Sequence, residues 1–239
     1  VDFERLLASW DGEHVVARRD AESAAWMFVG VHSTALGPAL GGTRLRVYPS
    51  PADGLADAMR LAGAMTWKAA AAGLPRGGGK AVLAVPELPN GAARRRLLRR
   101  YGALVESLGG SYRTAGDMNI GPADLDIVAG TCRWVHGTTS GAGDSGYGTA
   151  RGLLHAILAT VEHLFGAPEL AGRTILVQGA GAVGSLLVPE LAARGARVLV
   201  SDVDASRAAA TGCETVPPER VLETEVDVYS PCAVGGTLN

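Results

Sequence analysis

Thr174-Ile-Leu-Val-Gln-Gly-Ala-Gly-Ala-Val-Gly184 is the stretch that decides the fold. Its first five residues carry no charge and are mostly apolar, the composition of a parallel strand buried on both faces. They run directly into Gly179, Ala180, Gly181, Ala182, Val183 and Gly184, a G-x-G-x-x-G that opens a helix predicted over 182–194. Gly179 permits a tight turn, Gly181 lets backbone N–H groups approach a pyrophosphate, and Gly184 lets helix and strand pack closely. The helix N-terminus adds the partial positive charge that phosphates need. The next strand, predicted over 197–201, ends at Asp202, 23 residues after Gly179. A carboxylate there hydrogen-bonds the adenosine ribose and repels a 2′-phosphate, which favours NAD over NADP. Arg207, close by in sequence, keeps NADP as the competing cofactor.

Outward from this motif the second half reads as helix 149–165, strand 174–178, helix 182–194, strand 197–201, helix near 205–210 and strand 226–229. A glycine-rich segment, 137–148, precedes it as a connector. The first half reads as helix 2–9, strands near 14–18 and 26–32, and a loop-rich segment over 33–50. Helix 51–72, strand 81–85, helix 90–108, strand 112–114 and helix 121–130 follow. The whole is an α/β chain.

Composition narrows the function. Among 239 residues, 22 basic and 24 acidic side chains leave a net charge of −2, which speaks against a polybasic nucleic-acid binder. No apolar run approaches the roughly 18 residues of a membrane span, and the charged start of the chain makes the cytoplasm the expected location. Three cysteines without a C-x-x-C pair, and five histidines without ligand spacing, indicate neither a disulfide framework nor a metal site. Arg94-Arg-Arg-Leu-Leu-Arg-Arg100 reads as a solvated helix face. Gly143-Asp-Ser-Gly146 echoes a serine-protease loop, but Tyr147 stands where a nucleophile elbow needs glycine.

Lysine is the informative count. Only Lys68 and Lys80 occur, against 20 arginines. Arginine keeps its charge, whereas a buried lysine can release its proton near neutrality and act as acid or base. Lys68 lies in the apolar Ala64-Met-Thr-Trp-Lys-Ala-Ala-Ala-Ala-Gly73, and Lys80 follows Gly77-Gly78-Gly79. Both are expected to be shielded from solvent.

These segments resemble the amino-acid dehydrogenase family that includes leucine, valine and phenylalanine dehydrogenases. The matching stretches are Leu36-Gly-Pro-Ala-Leu-Gly-Gly-Thr-Arg44, Met65-Thr-Trp-Lys-Ala-Ala-Ala-Ala-Gly-Leu74, Gly77-Gly-Gly-Lys80, Gly116-Asp117, the glycine fingerprint with Asp202, and Pro231-Cys-Ala-Val-Gly235. The resemblance implies an N-terminal α/β substrate and oligomerisation domain over 1–136, a hinge over 137–148, and an incomplete Rossmann-type doubly wound NAD-binding domain over 149–239. It implies that Lys68 holds the substrate α-carboxylate, that Lys80 is the catalytic acid/base, and that Asp117 assists proton transfer at the amino group. Leu40, Gly41 and Gly42 then line the substrate cleft, while Ser145, Cys232 and Ala233 join the cofactor site. Family members continue beyond the point where this chain stops.

The chemistry agrees with these roles. Oxidative deamination moves a hydride from Cα and leaves an imine for water to attack, so one fixed cation must orient the carboxylate and a second amine must shuttle a proton. Glutamate-specific relatives use a further lysine. Here Leu40 stands in that place, so a small apolar amino acid of the leucine or valine type is expected, with a homo-oligomer by analogy. A phenylalanine-specific member and a non-catalytic dinucleotide-binding module remain the alternatives.

Overall fold

A computed structural model describes residues 3–141 and 145–235. Contacts divide the chain into two compact units, Val1–Asp144 and Ser145–Asn239.

The first unit opens with α1 (Phe3–Ala8), β1 (His14–Arg19), β2 (Trp26–Ser33) and β3 (Ala39–Val47). It continues with α2 (Pro51–Ala71), β4 (Gly77–Val85), α3 (Gly91–Ser107), β5 (Tyr112–Gly116) and α4 (Pro122–Ala129). The sheet order is β1-β2-β4-β3-β5. β1 and β2, and β2 and β4, pair antiparallel, while β3 runs parallel to both β4 and β5.

Side-chain alternation along the strands divides the sheet between two cores. Met27, Val29, Leu45, Ala81 and Leu83 pack with Leu97, Leu98 and Tyr101 of α3 and with Leu125 and Val128 of α4. Phe28, Val82 and Ala84, on the opposite face, pack with Leu55, Ala58 and Met59 of α2. Ser50 caps α2, accepting from the Asp53 N–H, and Pro51 opens the helix where a missing donor costs nothing. Lys80 alternates with Val82 and Ala84 and so belongs to the face that α2 covers.

The segment expected to be a loop, 33–50, instead contains β3, which lies between β4 and β5. Its Gly-Pro and Gly-Gly pairs read as turn signals, yet Gly41 and Gly42 serve close approach between strands. A Cβ at Gly41 would sit 1.7 Å from the Gly79 carbonyl oxygen, and one at Gly42 2.4 Å from that of Gly116. The strand expected over 81–85 also begins earlier, because Gly77–Gly79 join the ladder opposite Ala39, Val31 and Ser33.

The second unit holds α5 (Ser145–Phe165), β6 (Thr174–Gln178), α6 (Gly184–Ala192), β7 (Arg197–Ser201), α7 (Ala205–Ala210), β8 (Glu214–Thr215) and β9 (Val228–Pro231). Its four strands are parallel in the order β8-β7-β6-β9, where the sequence suggested three. A two-residue strand is too short to leave a pattern. The turn Pro218–Glu223 was likewise not foreseen, and β9 sits two residues later than expected. Ser145 to Gly148, expected within the hinge, form the first turn of α5; residues 142–144 of that hinge lie outside the described residues. Among the described residues, no helix is long and apolar enough to cross a membrane.

Candidate active site

In the first unit, strand pairing gathers the residues of interest on one sheet face. Leu40 pairs with Gly78 on one side and Arg113 on the other, and Arg44 pairs with Val82. Lys80, Gly42 and Arg44 therefore share the face over which α2 lies, and Asp117 follows directly after β5. Asp117 reaches back to that face: its Oδ1 is 3.0 Å from Lys80 Nζ, and its Oδ2 accepts from Arg44 Nε at 2.8 Å. Gly42 makes this possible, since a Cβ there would lie 2.9 Å from the Cβ of Asp117.

Lys80 is only 4% exposed. Burial pushes its pKa below the ordinary lysine value, and the Arg44 cation adds to this, while Asp117 and Asp57 pull the other way without cancelling it. Burial pulls the Asp117 carboxyl upward, but Lys80 and Arg44 outweigh it and hold the group below the usual carboxylate range. The result is an ion pair whose amine lies closer to neutrality than a free lysine. After burial itself, the cation that depresses it is Arg44.

Arg44 is itself clamped. Its Nη1 donates to Asp57 Oδ2 at 2.8 Å, and that same oxygen accepts from the Tyr48 hydroxyl at 2.7 Å. Arg60 Nη2 holds the other Asp57 oxygen at 2.7 Å. None of Arg44, Tyr48, Asp57 or Arg60 was singled out from sequence. The available signal was the alternation Leu40, Gly42, Arg44 along a strand, hidden by taking the segment for a loop.

Lys68 departs from expectation. It is exposed near the end of α2, beside Trp67, which is 71% exposed. The last turns of α2 bury only Ala69, so apolar neighbours in sequence do not bury the lysine. The two lysine-bearing segments nevertheless meet: a Cβ at Gly78 would fall 2.1 Å from the backbone nitrogen of Thr66. Each lysine lies two residues beyond that contact, one on α2 and one on β4.

The run Arg94–Arg100 is largely occupied within the chain. Arg94 pairs with Asp124, Arg96 with Glu22, and Arg100 with Asp20 and Glu22.

In the second unit, Gly179 adopts φ +100°, a conformation that strains any side-chain-bearing residue. A Cβ at Gly184 would lie 1.9 Å from the Gly179 carbonyl oxygen, whereas one at Gly181 would have nothing within 4 Å. The turn is thus tight at its first and last glycines and open at the middle one, the arrangement a pyrophosphate at the start of α6 requires. Ala182 and Val183 complete that turn. Asp202, at the end of β7, accepts from the Ala180 N–H at 2.7 Å and from the Asp204 N–H at 2.8 Å. Its carboxylate therefore also ties the glycine turn to the neighbouring strand end. Cys232 donates its N–H to the Gln178 carbonyl at 2.7 Å, and Cys232 and Ala233 border Gly179. Ser145 is exposed at the start of α5, its carbonyl accepting from the Thr149 hydroxyl.

The open and closed glycines yield a paired expectation. Gly181→Ala is expected to leave thermal unfolding of the full-length protein within a few degrees of wild type and to weaken dinucleotide binding roughly tenfold or more, a loss of about 1.4 kcal/mol. Gly184→Ala lowers the melting temperature as well, because the turn itself must open. Calorimetric titration with NAD and thermal melts separate the two effects, and identical behaviour of the variants would refute the assignment.

A family model described as "Glu/Leu/Phe/Val dehydrogenase, dimerisation domain" matches residues 15–134. The chain is 44% identical over 237 residues to a valine dehydrogenase of Streptomyces coelicolor, covering 95% of this chain and 65% of that protein. It is 36% identical over 246 residues to a leucine dehydrogenase of Geobacillus stearothermophilus, covering 100% of this chain and 66% of the relative. Among solved structures, an L-tryptophan dehydrogenase from Nostoc punctiforme superposes with a TM-score of 0.70 at 33% identity, covering 99% of this chain and 68% of that one. The chain spans about 65% of the length of the valine dehydrogenase it matches. With that match over half its length and these relatives, the chain belongs to the Glu/Leu/Phe/Val dehydrogenase family.

Proposed function

We propose that the protein carrying this chain catalyses the reversible, NAD-dependent oxidative deamination of a small apolar L-amino acid, of the leucine or valine type, to the 2-oxo acid and ammonia. The observation that carries this is Lys80, a buried residue at 4% exposure whose amine lies 3.0 Å from Asp117. In a surface ion pair of no consequence both ends would be solvated; here the lysine end is buried and its amine is eased toward neutrality.

NAD, when bound at the glycine turn, supplies the hydride acceptor. The chain's own residues do the rest. Lys68, an exposed cation whose segment packs against that of Lys80, holds the substrate carboxylate so that the Cα–H bond has one orientation. Asp117 accepts a proton from the substrate ammonium. Once the imine has formed, the neutral Lys80 amine takes a proton from the attacking water and returns it as ammonia departs. Gly42 keeps the cleft floor beside Asp117 free of a side chain, Gly41 offers its backbone next to it, and Leu40 presents an apolar surface to the substrate side chain. In the second unit, Gly179–Gly184, Asp202, Ser145, Cys232 and Ala233 bind the cofactor, with Asp202 favouring NAD over NADP. A homo-oligomer belongs to the same proposal, since the matched family region is described as a dimerisation domain.

The test is an initial-rate assay of the full-length protein with saturating NAD and a panel of leucine, valine, phenylalanine and glutamate at alkaline pH. NADH formation is expected to be fastest with leucine or valine and slowest with glutamate. Binding of NAD without turnover on any member of the panel defeats the proposal and leaves a dinucleotide-binding module.

A further inference from the structure

We infer that Arg44, clamped by Asp57, is a positioning residue: it holds one oxygen of Asp117 and leaves the other aimed at Lys80. This rests on the activity proposed above for the same site.

The geometry is a chain of alternating charges. Lys80 Nζ meets Asp117 Oδ1 at 3.0 Å, Arg44 Nε meets Asp117 Oδ2 at 2.8 Å, and Arg44 Nη1 meets Asp57 Oδ2 at 2.8 Å. Two nitrogens of one planar guanidinium are therefore tied to two carboxylates, which fixes its orientation. A lysine ammonium lacks this fork. Asp57 is in turn held by Tyr48 and Arg60, so the far end of the clamp is anchored as well. The side chains of Arg44 and Asp57 are mostly buried, at 16% and 13% exposure, which spares these contacts much of the screening that weakens surface pairs.

The consequence is a divided charge. Asp117 serves two cations at once, so Lys80 faces only part of a carboxylate and holds its proton less firmly than in a simple pair. The groups facing Lys80 are few. From β3 comes Arg44, from the end of β5 Asp117, and from α2 the more distant Asp57, while β2 opposes it with the uncharged Gly30. Removing the Arg44 charge acts in one direction throughout. It deletes a repelling cation, returns Asp117 wholly to Lys80 and unmasks Asp57, and each change favours the protonated amine.

The experiment compares the full-length wild type with Arg44→Gln and Arg44→Lys through two readouts. The first is the pH profile of kcat/KM for oxidative deamination. The second, needing no turnover, is the pH dependence of Lys80 acetylation, followed by peptide mapping. Arg44→Gln is expected to move both the rising limb and the acetylation midpoint of Lys80 upward by roughly one pH unit. Below both limbs this is about a tenfold loss of kcat/KM. Arg44→Lys, which keeps the charge but not the fork, shifts both by less and in the same direction. Should the glutamine variant not fold, the lysine variant decides. An unmoved Lys80 midpoint in a folded Arg44 variant overturns the inference. A midpoint shift in the Arg44 variants, together with a wild type that turns over no amino acid, defeats the proposed reaction and leaves the positioning role standing.

Discussion

Replacing Lys80 by alanine is expected to lower kcat/KM for oxidative deamination by about a thousandfold or more while the full-length protein stays folded. The loss follows from the one amine that is both buried and paired with a carboxylate. Its neighbours cannot replace it: Arg44 stays charged, and Asp117, held below the usual carboxylate range, relays the ammonium proton without retaining it. Folding survives because Asp117 is not left alone. Arg44 remains 2.8 Å from its second oxygen, so the buried carboxylate keeps a cation. This avoids the cost of about 3–5 kcal/mol incurred when one partner of a buried pair is removed outright. Lys80→Arg is expected to be just as inactive, because a guanidinium does not release its proton at accessible pH. NAD binding, which belongs to the second unit, is expected to be unchanged in both variants. Steady-state rates, thermal melts and calorimetry are the measurements. Activity within tenfold of wild type in either variant refutes the role of Lys80.

The second large effect is structural. Gly41→Ala is expected to destabilise the full-length protein by about 4 kcal/mol or more, a cost reserved for substitutions the fold cannot absorb. Its Cβ would stand 1.7 Å from the Gly79 carbonyl oxygen, and the obstructing atom is backbone of the neighbouring strand. Relief requires β3 and β4 to separate, which breaks the ladder that places Lys80 beside Gly42. The Tyr112 hydroxyl, which donates to the Gly41 carbonyl at 2.7 Å, would lose its partner as well. A fall of roughly 10 °C or more in melting temperature corresponds to that energy for a domain of this size. Gly121→Ala, with nothing within 4 Å of the added carbon, serves as the control and should melt within a few degrees of wild type. A Gly41→Ala protein that melts like the control shows that the two strands do not approach as described.

Both expectations draw on features that differ in how far sequence reveals them. Lys80 stood out because it is one of two lysines and follows three glycines, and its burial came as expected. Lys68 stood out for the same reason, yet it is exposed. The difference is one of placement. Lys80 alternates with Val82 and Ala84 inside a central strand, while Lys68 lies on the final turns of a helix, where only Ala69 is buried. The glycines of 37–42 signalled a loop by composition, and only their neighbours show that their task is close packing. Arg44 closes the Leu36–Arg44 motif but carries no local sign of a role, because its partners Asp57 and Asp117 are 13 and 73 residues away.

Apart from β3 and β8, the order of strands and helices was determined by the sequence alone, as were the glycine turn at 179–184 and the carboxylate at 202. Each rests on local sterics: alternation or helical periodicity over a few residues, and backbone angles or close approaches that glycine alone tolerates. The insertion of β3 between β4 and β5, the opposite exposures of the two lysines, and the chain of charges from Lys80 through Asp117 and Arg44 to Asp57 were decided by the tertiary structure. These are contacts between distant segments, and the burial that alters an ionisable group's proton affinity exists only once those segments are packed together.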